Sequence, residues 1–182
     1  NGKADLIGCN RGWGCELIIE HHLDAYGLRA TVEHIQADYF PLIASTIKQY
    51  NKVNQPIFFY NWTPNWTIGV LTPAEDVVWV GVPYPSLPGE QSAFEEQIAV
   101  KGVPGCVADS SYPEDTCALG FPPNDIRAVG NKVFLHANPA VRSLLESVVI
   151  PLGDISAQNA LIFEGEDDNH DIRRHAKLWI ET

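Results

Sequence analysis

The chain has 182 residues, 45% of them apolar and 10% aromatic, which is enough to bury one substantial core and unlike a disordered or fibrous composition. Its formal net charge is −11, from 23 acidic against 12 basic residues scattered along the sequence, so nucleic acid is excluded as a natural partner. No apolar run approaches the roughly 20 residues that span a bilayer, and the opening Asn1-Gly2-Lys3-Ala4-Asp5 is neither a signal peptide nor an initiator methionine, so the chain reads as mature or trimmed.

In chain order, Cys15, Ile18, Ile19, His22, Leu23 and Tyr26 fall on one stripe at helical spacing, which predicts a helix from Cys15 to Tyr26 stopped by Gly27. Thr31 to Gln36 alternates like a short strand. Asp38 to Tyr50 resumes the helical period, with Asp38 as its cap and Pro41 in its first turn. Pro56 to Tyr60 is an apolar run of the kind that fills a buried, central strand, and it ends at Asn61-Trp62-Thr63-Pro64-Asn65-Trp66. Val77 to Val82 gives another strand. The stretch from about 83 to 123 is rich in Pro, Gly, Asp and Ser and is expected to be one long excursion, since a structureless loop of that length is rare. Asp125 to Val129 is expected to re-enter the sheet. Helices then follow at Pro139–Val148, at Asp154–Phe163 behind an aspartate cap, and at Asp168–Glu181. Strands separated by helices, with no repeat and no linker, predict a single α/β domain over residues 1–182, a three-layer sandwich around a small mixed sheet.

The four cysteines form two close pairs, Cys9/Cys15 and Cys106/Cys117, set among Gly, Pro, Asp and Ser. They read as two local disulfides made in an oxidising compartment, the second stapling the excursion. Zinc is the competing reading, but neither spacing is C-x2-C and no suitable histidine pair follows.

Two segments place tryptophan beside turn residues instead of within an apolar stripe: Gly12-Trp13-Gly14-Cys15 and Asn61-Trp62-Thr63-Pro64. Ligands bind an α/β sheet at the loops beyond its strand ends, so Trp13 and Trp62 are expected to face one cleft. Gly14 and Cys15 open the first helix, and a helix start with free N–H groups suits a carboxylate or phosphate. Trp66, Trp79 and Trp179 are expected in the core. An enzyme reading would recruit Cys15 with His21, His22 or His34, but a disulfide-bonded cysteine is no nucleophile, and catalysis is not expected. A metal site from His170 and His175 with Asp167, Asp168 and Asp171 is outweighed by the ordinary use of acidic residues as helix caps. No calcium site is expected at Asn1 to Asp5, which lacks preceding acidic ligands.

The run from Gly2 through Cys9, Trp13 and Cys15 to Glu16 closely resembles the segment opening the second lobe of periplasmic glycine betaine-binding proteins of the proline/betaine uptake system. Phe58 to Trp66, Asp76-Val77-Val78-Trp79, Ile150-Pro151-Leu152, the run from Asp154 to Ala160, and the closing helix through Trp179 are similar to that family as well. The similarity departs between about Ser92 and Cys117, where this chain carries a longer cysteine-paired insert.

That resemblance implies one lobe of a type II periplasmic binding protein fold, acting as the receptor of an ABC importer for glycine betaine or a related quaternary ammonium osmoprotectant. It assigns the aromatic faces to Trp13 and Trp62 and the backbone donors for the carboxylate to Gly14 and Cys15. No cofactor and no metal are implied. The partners it implies are the small-molecule ligand, the ABC membrane subunit and a first lobe absent from this chain, which in the family supplies a further tryptophan and a histidine. An open cleft would also allow two copies to pair. The alternative is a free-standing lobe serving as an interaction or assembly module without solute transport.

Overall fold

The computed structural model describes residues 2–53, 55–107, 112–113 and 115–181. Asn1 at the chain start, and residues 108–111 and 114 of the excursion, therefore lie outside the described residues. In order, the elements are β1 (Ala4–Ile7), α1 (Gly14–Ala25), β2 (Val32–Ile35), α2 (Tyr39–Val53), β3 (Phe58–Phe59), α3 (Thr67–Val70), β4 (Trp79–Val80), β5 (Ala99–Lys101), β6 (Cys106–Val107) and β7 (Thr116–Ala118). Four helices follow: α4 (Lys132–Ala137), α5 (Pro139–Ser147), α6 (Leu152–Phe163) and α7 (Asn169–Glu181). None of the described helices is long and apolar enough to cross a membrane.

The chain divides into two compact units, residues 1–61 with 73–123, and residues 62–72 with 124–182. The first unit holds the β-structure. Its largest sheet has the order β2-β1-β3 and is parallel throughout, Ala4 pairing with Val32 and Leu6 with Phe58. This corrects two expectations. The central strand is β1, while Pro56–Tyr60 supplies only the short edge strand β3. Among the described residues the expected single mixed sheet is replaced by three small ones, since β4 pairs with β6 in parallel and β5 with β7 antiparallel, each pair apart from the first sheet.

Helix α1 buries the stripe that its sequence encodes, with Ile18, Ile19, His22 and Leu23 turned inward. Gly27 adopts φ 67°, a left-handed conformation that stops the chain after Tyr26. Ile19 joins Leu6 and Cys9 in one cluster, with Trp13, Val32, Tyr60 and Phe121 packed against it. Ile18 joins Leu87 and Ile98 in a second. Each such side chain removed from water contributes roughly 1.5–3 kcal/mol. The second cluster anchors the excursion, which is no bare loop: it contains a 3-10 segment at Gly89–Gln97 and strands β5 to β7. The Cys106–Cys117 disulfide ties β6 to β7. Polar contacts add to the anchoring, because His21 Nε2 lies 2.7 Å from Ser86 Oγ and His22 Nε2 donates to the Ser86 carbonyl at 3.0 Å.

Helix α2 starts against Asn10, whose side-chain oxygen accepts the Tyr39 N–H at 2.7 Å, so the acceptor at this helix start comes from another segment. Tyr39, Ile43 and Ile47, four apart, form its buried stripe.

The second unit is helical. Asp125 to Val129 does not re-enter a sheet: it has no regular structure, with Ile126 and Val129 exposed. The short helix α4 follows that irregular stretch, capped by Asn131 accepting from Phe134 N–H at 3.0 Å. Asp154 is not the cap of α6. Pro151 stands at that position, and the Asp154 carboxylate instead accepts the Trp179 indole N–H at 2.8 Å. It is Asp168 that caps its helix, accepting from the N–H groups of His170 and Asp171 at the start of α7. Trp66 is buried and stacks on Phe163 at 3.6 Å, but Trp179 is 41% exposed and so is not a core residue, and Trp79 is only half-buried. No described residue of α4, α5, α6 or α7 is buried. Their apolar residues, among them Phe134, Leu144, Leu152, Phe163 and Leu178, meet water.

Candidate functional site

The first tryptophan segment lies in the first unit, just past the end of β1. The chain leaves the sheet at Ile7, is clamped by the Cys9–Cys15 disulfide, and turns at Gly12, whose φ of +85° is one that L side chains rarely adopt. Trp13 is the N-cap of α1, in extended conformation at φ −78° and ψ 150°, and makes no side-chain capping bond. Ser, Thr, Asp or Asn would ordinarily stand here, their oxygen satisfying a first-turn amide worth about 1 kcal/mol. Indole has no such acceptor. Gly14 and Cys15 thus occupy the first two helical positions, where N–H groups have no intrahelical partner and the helix dipole favours an anion. Gly14 is exposed, and a Cβ placed on it would meet nothing within 4 Å, while Cys15 is half-buried.

Glu16 completes the turn. Its carboxylate accepts the Gly12 N–H at 2.6 Å and the Gln36 amide at 2.7 Å. Those two bonds, the Gly12 one foremost, hold its carboxyl below the usual carboxylate range. One Glu16 oxygen is bonded back into the turn and the other to Gln36, a variant of the capping box that leaves the Gly14 and Cys15 amides as the donors at the tip. The Trp13 ring is half-buried on the Leu6/Cys9/Ile19 cluster. Tyr39 lies 6.2 Å from it at 42°, and Phe40 lies 6.3 Å away at 64°. The sequence reading missed these two rings, although an aromatic pair directly before Pro41 was a visible signal.

The second segment belongs to the second unit. Trp62 is half-buried there, and Trp66, four residues on, is buried and stacks on Phe163. The Asn65 side-chain oxygen accepts from the Thr67 N–H at 3.1 Å and its hydroxyl at 3.2 Å, closing the turn into α3. Trp62 is thus held at the entrance to a turn that is itself buried.

The groups weighed for other chemistry have structural partners. Cys15 is disulfide-bonded, and His34 Nδ1 lies 2.6 Å from the Glu20 carboxylate. Burial pushes His22 down to about 4, so it is neutral near pH 7 and fixed as a donor to Ser86. Asp168, His170 and Asp171 bring one ligand atom each within 4.8 Å of one another, yet the Asp168 carboxylate is already engaged in capping α7. His175 bonds Glu166 at 2.7 Å.

Residues 1–182 match the family model described as the substrate binding domain of ABC-type glycine betaine transport systems. The chain is 44% identical, over all of its length and 50% of the relative's, to the glycine betaine-binding periplasmic protein OusX of Dickeya dadantii. It is 40% and 38% identical, with the same coverage, to the glycine betaine/proline betaine-binding periplasmic proteins of Escherichia coli and Salmonella typhimurium. The chain therefore spans about half the length of the curated relatives it matches. On the family match, the chain belongs to the OpuAC family, whose members are substrate-binding transport domains and not enzymes.

Proposed function

We propose that the chain is part of the periplasmic receptor of an osmoprotectant ABC importer and that it binds glycine betaine or a related quaternary ammonium solute. One observation carries the reading: an indole without an acceptor caps a disulfide-clamped helix whose first two positions, the exposed Gly14 and the half-buried Cys15, carry amides with no intrahelical partner. A betaine needs both halves of that arrangement. Its trimethylammonium group has no N–H to donate, so an aromatic face is the group that can select it, at roughly 0.5–2 kcal/mol per contact. Its carboxylate needs donors, which a helix start supplies. Trp13 and Trp62 are proposed as the faces, and Gly14 and Cys15 as the donors. The disulfide lowers the cost of ordering the turn on binding.

Residues 1–182 are further proposed as one lobe of a type II periplasmic binding protein, working with a first lobe outside this chain and with the membrane subunit of the importer. Two observations support the missing lobe. The relatives are twice as long as the match, and the apolar side chains of α4 to α7 stand in water, as a face built to be covered would. Pairing of two copies is the competing way to cover them, and sedimentation at high concentration separates the two: a monomer removes the pairing.

Calorimetry with glycine betaine, proline betaine and choline tests the function. Heat of binding that disappears on Trp13→Ala or Trp62→Ala supports the receptor. Silence with all three solutes, both in this chain and in the two-lobe protein that carries it, overturns the reading.

A further inference from the structure

Phe40 is not where the core of α2 would put an aromatic residue. The buried stripe of that helix runs through Tyr39, Ile43 and Ile47, and Phe40 stands one position, about 100°, around from it. It is 47% exposed, while Tyr39 beside it is fully buried. Its ring nevertheless has two aromatic neighbours. Tyr39 is held at both ends, its N–H donating to Asn10 at 2.7 Å and its hydroxyl to the Tyr60 carbonyl at 2.7 Å. Phe40 meets the Tyr39 ring edge-on at 5.5 Å and 84°, and the Trp13 ring at 6.3 Å and 64°. Trp13 and Phe40 are therefore two partly exposed rings set at an angle on a common buried post.

We infer that Phe40 is a specificity-determining residue, an aromatic side wall next to Trp13 that contacts the carbon skeleton around the ligand's ammonium group. The inference rests on the proposed role of Trp13 and adds to it the selection of ligand bulk. A ring inclined to the indole reaches the flank of a cation seated on that indole, so it acts most on a cation whose nitrogen is part of a ring, as in proline betaine, and least on the compact glycine betaine.

The test titrates the chain, unsubstituted and as Phe40→Ala, Phe40→Leu, Phe40→Tyr and Trp13→Ala, with glycine betaine and proline betaine, and records melting midpoints for each variant. Phe40→Ala and Phe40→Leu are expected to weaken proline betaine by about threefold to tenfold and glycine betaine less, shifting the affinity ratio toward the smaller cation. Phe40→Tyr is expected to restore both affinities and their ratio. Phe40→Leu keeps apolar bulk beside Trp13, so a residue needed only for packing would be rescued by leucine as well as by tyrosine. An unchanged ratio in Phe40→Ala, with Trp13→Ala still abolishing binding, overturns the inference and leaves the receptor reading intact. Unchanged binding in Trp13→Ala overturns both.

Discussion

The two units of this chain handle apolar surface in opposite ways. The first closes its own core, with Ile18, Ile19, Leu23, Tyr39, Ile43 and Ile98 all withdrawn from water. The second buries Asn65, Trp66, Thr67 and Leu71 around its first turn, but helices α4 to α7 bury no described residue and leave many of their apolar side chains exposed. A unit of the first kind is expected to draw its stability from its buried core. A unit of the second kind is amphipathic without a counterpart, and its stability is expected to come from a surface outside these residues.

Substitution can break this contrast. Ile43 is fully buried, so Ile43→Ala should cost about 2–5 kcal/mol in chemical denaturation, the largest effect expected of any single truncation here. A loss below 1 kcal/mol would mean that the first unit is not the self-sufficient body described. The His22 contact sharpens the same contrast through pH. Because burial holds the folded His22 near 4 instead of its usual 6.5, the unfolded chain binds a proton more readily between those values. Its contribution to stability is complete above about pH 6.5 and is lost as pH falls through about 4, with a slope of up to about 1.4 kcal/mol per pH unit in between. Denaturation midpoints from pH 7 to pH 4 should therefore fall less steeply in His22→Gln than in the unsubstituted chain, and parallel curves would refute the assignment. Smallest of all, Leu178→Ala on the 55% exposed Leu178 of α7 should change the stability of this chain by less than about 0.5 kcal/mol. The same substitution in a longer chain carrying the proposed first lobe should cost more than 1 kcal/mol, as a buried position would. Equal effects in both would remove the argument that α7 faces the proposed first lobe.

Much of the first unit is legible in the sequence because its signals are local. The α1 stripe from Cys15 to Tyr26, the stop at Gly27 and both cysteine pairs need only spacing and residue type. What escaped depends on partners far along the chain. Ala4–Ile7 is too short to announce itself as a strand, and only its pairing with residues near 32 and 58 makes it the centre of the sheet. The apolar residues Ile126 and Val129 suggested a strand, yet they find no partner strand in the second unit. Asp154 carries a capping side chain, but Pro151 sets the backbone at that helix start, and the carboxylate is drawn to Trp179 instead. For the site, Trp13 and Trp62 stood out by their turn residues. Tyr39 and Phe40 did not, because their nearness to Trp13 is created by the fold.

The central claim is that the start of α1 holds a carboxylate beside an indole. Amide and indole resonances of the isotope-labelled chain, followed during titration with glycine betaine and, separately, with choline, address it most directly. Glycine betaine should move the Gly14 and Cys15 amides together with the Trp13 indole, whereas choline, which lacks the carboxylate, should move the Trp13 indole and leave both amides in place. Betaine-induced shifts that spare Gly14, Cys15 and Trp13 while appearing elsewhere would contradict the account.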